Sequence, residues 1–96
     1  INVPLDREIR VFVMGRVNQP GPVTARMSEG ITLLRAIAGA GGVAEGGKQT
    51  AVQISRRLRS GQEVKFKVNL KNILKGKTMD LRLEEGDVVF VPESFW

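Results

Sequence analysis

The sequence contains no cysteine, no histidine and no tyrosine. Without cysteine there is no disulfide and no thiol nucleophile, and thiol usage gives no indication of the cellular compartment. Without histidine the chain lacks the commonest general base and the commonest transition-metal ligand. No apolar run approaches the length that crosses a membrane. These absences argue against an enzyme, and we expect no catalytic residues, no metal and no cofactor.

The residues that are present suit one small globular domain. The chain has 96 residues, of which 42% are hydrophobic and 26% are charged, so disorder is not expected. A net charge of +5 favours contact with an anionic partner such as nucleic acid, lipid headgroups, an acidic sugar or an acidic protein, or it serves only solubility. The chain begins with Ile1 rather than methionine, and we expect a segment of a longer protein.

Apolar and polar residues alternate in several short segments that predict strands. The first strand is apolar on both faces, with Val11 and Val13 on one side and Phe12 and Met14 on the other. Such a strand lies inside a fold, or between a helix and another chain. The predicted strands are 9–18, 23–27, 51–57, 63–70 and 88–91, with a short extended stretch at 79–83. Turn residues between them predict two hairpins.

One main helix is predicted between the two hairpins. Thr32 is a good N-cap, and apolar residues recur at helical spacing until the glycines at 39, 41 and 42 end the helix. Residues 69–75 predict a brief second helix. The fold class is therefore α+β, a mixed sheet of about five strands with one main helix packed on it, which is the β-grasp arrangement.

The glycine-rich stretch 39–48 has the spacing of a phosphate-binding loop, with Gly42 followed after four residues by Gly47 and Lys48. Such loops follow a strand and open a helix, whose N-terminus binds the phosphate. Here the helix precedes the glycines, and Gln49 stands where a magnesium-binding Ser or Thr is required. We interpret the stretch as a helix stop and not as a nucleotide site.

Charged and aromatic side chains supply the remaining candidates. The acidic turn Glu84, Glu85 and Asp87 is interpreted as a solvated corner, in which Asp87 bonds local backbone N–H groups. Phe12, Phe66 and Phe90 are interpreted as core, which leaves too few free aromatics for nucleic-acid binding. Phe12 and Met14, on the second face of the first strand, are also interface candidates together with Phe95 and Trp96 near the chain end. The candidates for binding an acidic glycan or another anion are Lys48, Arg56, Arg57, Arg59, Lys65 and Lys67.

Five segments resemble, in order, the soluble-ligand-binding β-grasp (SLBB) domain. VFVMGRVNQPGPV (residues 11–23) resembles its first strand and Pro-Gly turn, and ITLLRAIAGAGGVAEGG (31–47) resembles its helix and the following glycines. VQISRR (52–57), VNLKNILKG (68–76) and LRLEEGDVVFVP (81–92) are similar to its later strands and turns. The spacing most resembles the modules of the Wza-like outer-membrane polysaccharide exporters.

This resemblance implies a domain division and a function. Residues 1–9 would be a linker from a preceding domain, 10–92 the SLBB β-grasp domain and 93–96 a C-terminal connection. The protein would be a non-catalytic periplasmic module, attached to the outer membrane through its parent and exporting capsule or exopolysaccharide. Its partners would be identical copies in a ring, the polysaccharide and an inner-membrane polysaccharide co-polymerase, but not nucleic acid. The alternatives are a glycan-binding module for an acidic oligosaccharide and a β-grasp adaptor in an unrelated complex.

Overall fold

The computed structural model describes residues 7–94, which form seven strands, two α-helices and one 3₁₀ turn. The strands are β1 (Glu8–Gly15), β2 (Gly21–Arg26), β3 (Ile31–Thr32), β4 (Val52–Arg57), β5 (Glu63–Val68), β6 (Arg82–Leu83) and β7 (Val88–Val91). The helices are α1 (Leu33–Gly39) and α2 (Leu70–Leu74), and the 3₁₀ turn is Gln49–Ala51.

Five of the strands form one mixed sheet in the order β2-β1-β7-β4-β5. The first and last strands of the sheet in the sequence, β1 and β7, lie side by side and run parallel, whereas every other pair in this sheet is antiparallel. The predicted fold class is confirmed: a five-stranded mixed sheet carries one main helix, as in β-grasp proteins.

Both predicted hairpins are present, and the largest change to a predicted strand is at the end of the first one. In the second hairpin Val52 pairs with Val68 and Arg57 pairs with Glu63. The prediction that the first strand continues to residue 18 is wrong, because β1 ends at Gly15, where φ is 94°. The left-handed backbone turns the chain out of the sheet there. Beyond the turn Val17 forms only an isolated bridge, with Val43.

The glycines after α1 close the helix, as predicted. The Thr32 hydroxyl accepts from the Arg35 backbone N–H at the N-terminus. At the other end Gly41 and Gly42 have φ of 82° and 85°. Their backbone N–H groups donate to Ala38 O at 3.0 Å and Ile37 O at 2.9 Å, which is the Schellman pattern. The phosphate-loop spacing therefore stands at the carboxyl end of a helix, where the dipole disfavours anions.

The core lies between α1 and one face of the sheet. Alternate residues of the central strands point to this face and are fully buried, among them Val11, Val13, Ile54 and Val89. α1 contributes Leu33, Ala36 and Ile37. Beside the helix, β3 and β6 form a ladder of only two residues each, in which Ile31 opposes Leu83. No described element covers the opposite face of the sheet, which we call the open face.

Candidate functional site: the open face of the sheet

Four apolar side chains meet at the centre of the open face. Phe12 and Met14 of β1 stand directly beside Val88 and Phe90 of β7 in the parallel register. Phe12 is 37% exposed, Met14 45% and Phe90 41%. We call Phe12, Met14, Val88 and Phe90 the open-face patch. Because all four belong to adjacent rows of neighbouring strands, they form one contiguous apolar surface.

The patch corrects part of the sequence interpretation. The assignment of Phe12 and Phe90 to the core is wrong, because both are exposed on the open face. Phe66 is half-buried and packs against the core. Phe12 and Met14, predicted as interface residues, do lie together on this face. Their proposed companions Phe95 and Trp96 lie outside the described residues.

A row of cations borders the patch on the β4–β5 side. Arg57 of β4 and Lys65 and Lys67 of β5 lie on the open face, like the patch. Gln53 pairs with both Lys67 and Phe90, paired residues share a face of the sheet, and every second residue along a strand returns to that face. We call Arg57, Lys65 and Lys67 the basic row. All three side chains are exposed, and only Lys65 has an ion-pair contact among the described residues, with Glu63 at 4.0 Å. A hollow of about 280 Å³ opens beside Lys65 and Lys67.

Arg56 points to the opposite face of β4 and is held by Asp87. Its Nε lies 3.1 Å from Asp87 Oδ1, and its Nη2 lies 2.9 Å from Asp87 Oδ2. The Glu84 backbone N–H donates to Asp87 Oδ2 at 2.8 Å, and the Arg56 guanidinium also stands 5.6 Å from the centre of the Phe66 ring. The hydrogen bond with Asp87 raises the pKa of Arg56 against the effect of burial, helped by the charges of Asp87 and Glu84. We call Arg56 and Asp87 the buried clasp.

The clasp overturns the interpretation of Asp87, whereas Glu84 and Glu85 of the same turn are exposed as expected. Asp87 was expected at a solvated corner, but it is 1% exposed. The expected bond to a local backbone N–H is present, at Glu84. The partner that makes burial tolerable is Arg56, since a buried carboxylate needs a counter-charge and hydrogen bonds. The guanidinium of Arg56 is thus engaged inside the fold.

The two remaining anion-binding candidates are separated from the basic row. Arg59 lies exposed in the turn that joins β4 to β5. Lys48 lies before the 3₁₀ turn and lines a cavity of about 370 Å³ together with Lys71 of α2. Lys71 was not among the predicted site residues, because its approach to Lys48 depends on the packing of α2 against the 3₁₀ turn.

An apolar groove between α1 and α2 lies on the helical side of the sheet. Leu34, Ile37 and Ala38 of α1 face Leu70 and Leu74 of α2 across a space of about 350 Å³. Leu74 is 58% exposed. The helical spacing of these residues predicted apolar stripes, but only the tertiary structure shows that the two stripes leave a gap.

The described range contains neither a metal-binding cluster nor a membrane-spanning helix. Residues 7–94 contain no group of three or more acidic, cysteine or histidine residues arranged to hold a metal ion. Neither of the helices described is long and apolar enough to cross a membrane.

The sequence matches a known protein family along most of its length. Residues 9–91 match the family described as "SLBB domain". No curated protein matches the chain. The matched range begins within β1 and ends with the last residue of β7, so it contains the complete sheet apart from one residue.

Proposed function

Because the chain belongs to the SLBB domain family, a family of soluble ligand-binding β-grasp modules, we propose that it is a non-catalytic module of a polysaccharide export protein. On this proposal the parent protein belongs to the Wza-like group, works in the periplasm at the outer membrane and exports capsule or exopolysaccharide. The module contributes contacts between identical copies in a ring. An inner-membrane polysaccharide co-polymerase is the expected partner across the periplasm.

The observation that supports this proposal most strongly is the open-face patch. Its three largest side chains are 37–45% exposed, which corresponds to roughly 240 Å² of apolar surface if each offers about 200 Å² in full. Covering that surface would contribute about 6 kcal/mol before the costs of association. A stable interface takes about 800 Å² from each partner. The patch therefore suits one contact among several in a larger assembly.

Ring closure requires that two different surfaces of the module meet. A ring is built from head-to-tail contacts, in which the open face of one copy docks on another surface of its neighbour. The apolar groove between α1 and α2 is a suitable acceptor, because it lies on the other side of the same sheet. Phe90 on the open face and Leu74 at the groove are both exposed apolar residues that would become covered.

Matched lysine substitutions in the full-length parent protein test this arrangement. Phe90→Lys and Leu74→Lys each introduce a charge into one of the two surfaces, and we expect both to shift the assembly to smaller species in sedimentation velocity. Met79→Lys is the control, since Met79 is 89% exposed and lines neither surface. A wild-type protein that sediments as a monomer in detergent, or a ring unchanged by Phe90→Lys, would contradict the proposal.

A second candidate function is the binding of an acidic oligosaccharide. The basic row favours it, because three exposed cations stand on one face and two of them, Lys65 and Lys67, line a hollow of about 280 Å³. Charge attraction of this kind weakens as salt is added. Titration with an acidic oligosaccharide should give salt-sensitive binding that Lys65→Ala/Lys67→Ala reduces and Lys75→Ala/Lys77→Ala does not. Binding that ignores both salt and the first pair of substitutions would exclude this function.

A further inference from the structure

The cavity beside Lys48 has the composition of a small anion-binding site. Its lining consists of Gly47, Lys48, Gln49, Thr50, Lys71 and Ser94, and it holds about 370 Å³. This volume lies at the lower end of the range of small-ligand sites, about 300–1,000 Å³. The lining contains two cations and no carboxylate, and it shares no residue with the open-face patch or the basic row.

One wall of the cavity is fixed by backbone hydrogen bonds. The Lys48 N–H donates to Pro92 O at 2.8 Å, and the Ser94 N–H donates to Gly46 O at 2.7 Å. Between these two hydrogen bonds, Gly47 forms an isolated antiparallel β-bridge with Glu93. A side chain at position 47 would overlap Val43 and approach the Arg16 carbonyl oxygen within 3.0 Å. The loop that presents Lys48 is therefore tied to the segment after β7 that presents Ser94.

The start of α2 supplies another part of the lining, through Lys71. The Asn69 side chain accepts from the Asn72 backbone N–H at 3.3 Å, which holds the first turn of this short helix. Lys71 lies in that turn. α2 in turn packs against the 3₁₀ turn that carries Gln49 and Thr50. Both lysines are thus attached to ordered backbone, although their side chains are exposed.

The charges of the cavity have no partner inside the described fold. Among residues 7–94 the ion pairs involve neither Lys48 nor Lys71. The acidic residue next to Ser94 is Glu93, whose carboxylate is 3.0 Å from Arg16. Two ammonium groups at one cavity repel each other, and a bound anion would relieve that repulsion.

We infer that this cavity binds one carboxylate-bearing sugar unit, a hexuronate. The two lysines supply charge for the carboxylate. The hydroxyls of Thr50 and Ser94 and the amide of Gln49 can both donate and accept, as the ring hydroxyls of a sugar require. A phosphate ion carries no such set of ring hydroxyls, so it would leave the neutral hydrogen-bonding groups of the lining unused. The site is independent of the self-docking proposed for the open face.

The test is an NMR titration of the chain with D-galacturonate, with D-galactose and inorganic phosphate as comparison ligands. Galacturonate should shift the amide signals of 47–50, 71 and 94. Galactose should bind more weakly, since it lacks the charge, and phosphate should not reproduce the affinity. Each of Lys48→Ala and Lys71→Ala should weaken galacturonate binding by about two- to fivefold, the effect of one exposed ion pair.

Lys65→Ala/Lys67→Ala separates this inference from the glycan binding proposed for the basic row. Those substitutions should leave galacturonate affinity unchanged even if they reduce the binding of longer acidic chains. Several results would overturn the inference: no shifts at these six positions, equal affinity for galactose or phosphate, or full affinity in Lys48→Ala/Lys71→Ala. Amide spectra of each variant that superpose away from the cavity confirm that the fold is retained.

Discussion

Replacing Asp87 by asparagine tests the buried clasp directly. The substitution keeps the size of the side chain and an oxygen that can accept from the Glu84 N–H, but it removes the charge that faces Arg56. Breaking a buried ion pair by removing one partner costs about 3–5 kcal/mol. Arg56 is 20% exposed and keeps Glu84 at 3.4 Å, which softens the loss. We therefore expect a decrease of about 2–3 kcal/mol in the free energy of unfolding.

This decrease is a large part of the stability available to the domain. At about 0.05–0.15 kcal/mol per residue, a chain of this length has about 5–14 kcal/mol in total. With a urea m-value of about 1–1.5 kcal/mol/M, the unfolding midpoint should fall by about 2 M. Far-UV circular dichroism during urea titration measures the shift.

Glu93→Gln supplies the matched control for Asp87→Asn. Glu93 pairs with Arg16 at 3.0 Å, but these side chains are 47% and 49% exposed, and exposed pairs contribute only about 0–1 kcal/mol. If Asp87→Asn shifts the midpoint no more than Glu93→Gln does, burial of the clasp has no energetic consequence and our reasoning fails. A double-mutant cycle with Arg56→Gln should show a coupling of at least about 1 kcal/mol between Arg56 and Asp87.

The direction in which the pKa of Arg56 is shifted also predicts how the stability of the clasp responds to alkaline pH. The hydrogen bond with Asp87 raises the pKa of Arg56 in the folded state. Its contribution to stability is therefore complete at any pH below the ordinary arginine pKa, and is lost only as the pH rises through the raised value. We expect no loss of stability from this arginine between neutral and mildly alkaline pH.

Three further predictions concern the backbone and the sheet edge. Gly15→Ala should destabilise the domain by about 3 kcal/mol or more, and Gly61→Ala by only about 1 kcal/mol. The two glycines have nearly the same φ, 94° and 93°, but only a side chain at position 15 would overlap the carbonyl of Val91 in β7. Chemical denaturation compares the two variants, and equal losses of stability would contradict this reasoning. Thr32→Ala should remove about 1 kcal/mol through loss of the N-cap, seen in the same assay. Lys65→Ile/Lys67→Ile should speed fibril formation in thioflavin fluorescence, because β5 is an edge strand; an unchanged rate would refute a protective role.

The elements of this fold are predictable where the signal is local. Alternation along 63–68, the Thr32 cap and the glycines at 41 and 42 each depend on residues within a few positions, and the structure confirms all three. The order of the elements then limits the topology to few choices, because connections are short and neighbouring strands tend to pair.

The candidate site is less predictable because it depends on distant partners. The sequence assigns Phe12 and Phe90 to the core, because alternation shows that two faces exist but not which face a helix covers. The sequence places Asp87 in solvent, because its partner Arg56 lies 31 positions away and no local pattern pairs the two. That Lys48 and Lys71 line one cavity likewise depends on how α2 packs, and no periodicity in the sequence predicts that packing.

The parallel pairing of β1 with β7 determines how the module responds to tension. Their ladder runs from Phe12 opposite Val88 to Gly15 opposite Val91, so the start of β1 and the end of β7 lie toward opposite ends of the sheet. A force that pulls these two ends apart slides one strand along the other. All rungs of the ladder then carry the load together, whereas an antiparallel pair pulled from its open end would unzip one rung at a time. The module is therefore built as a stiff link between whatever is joined to its two ends.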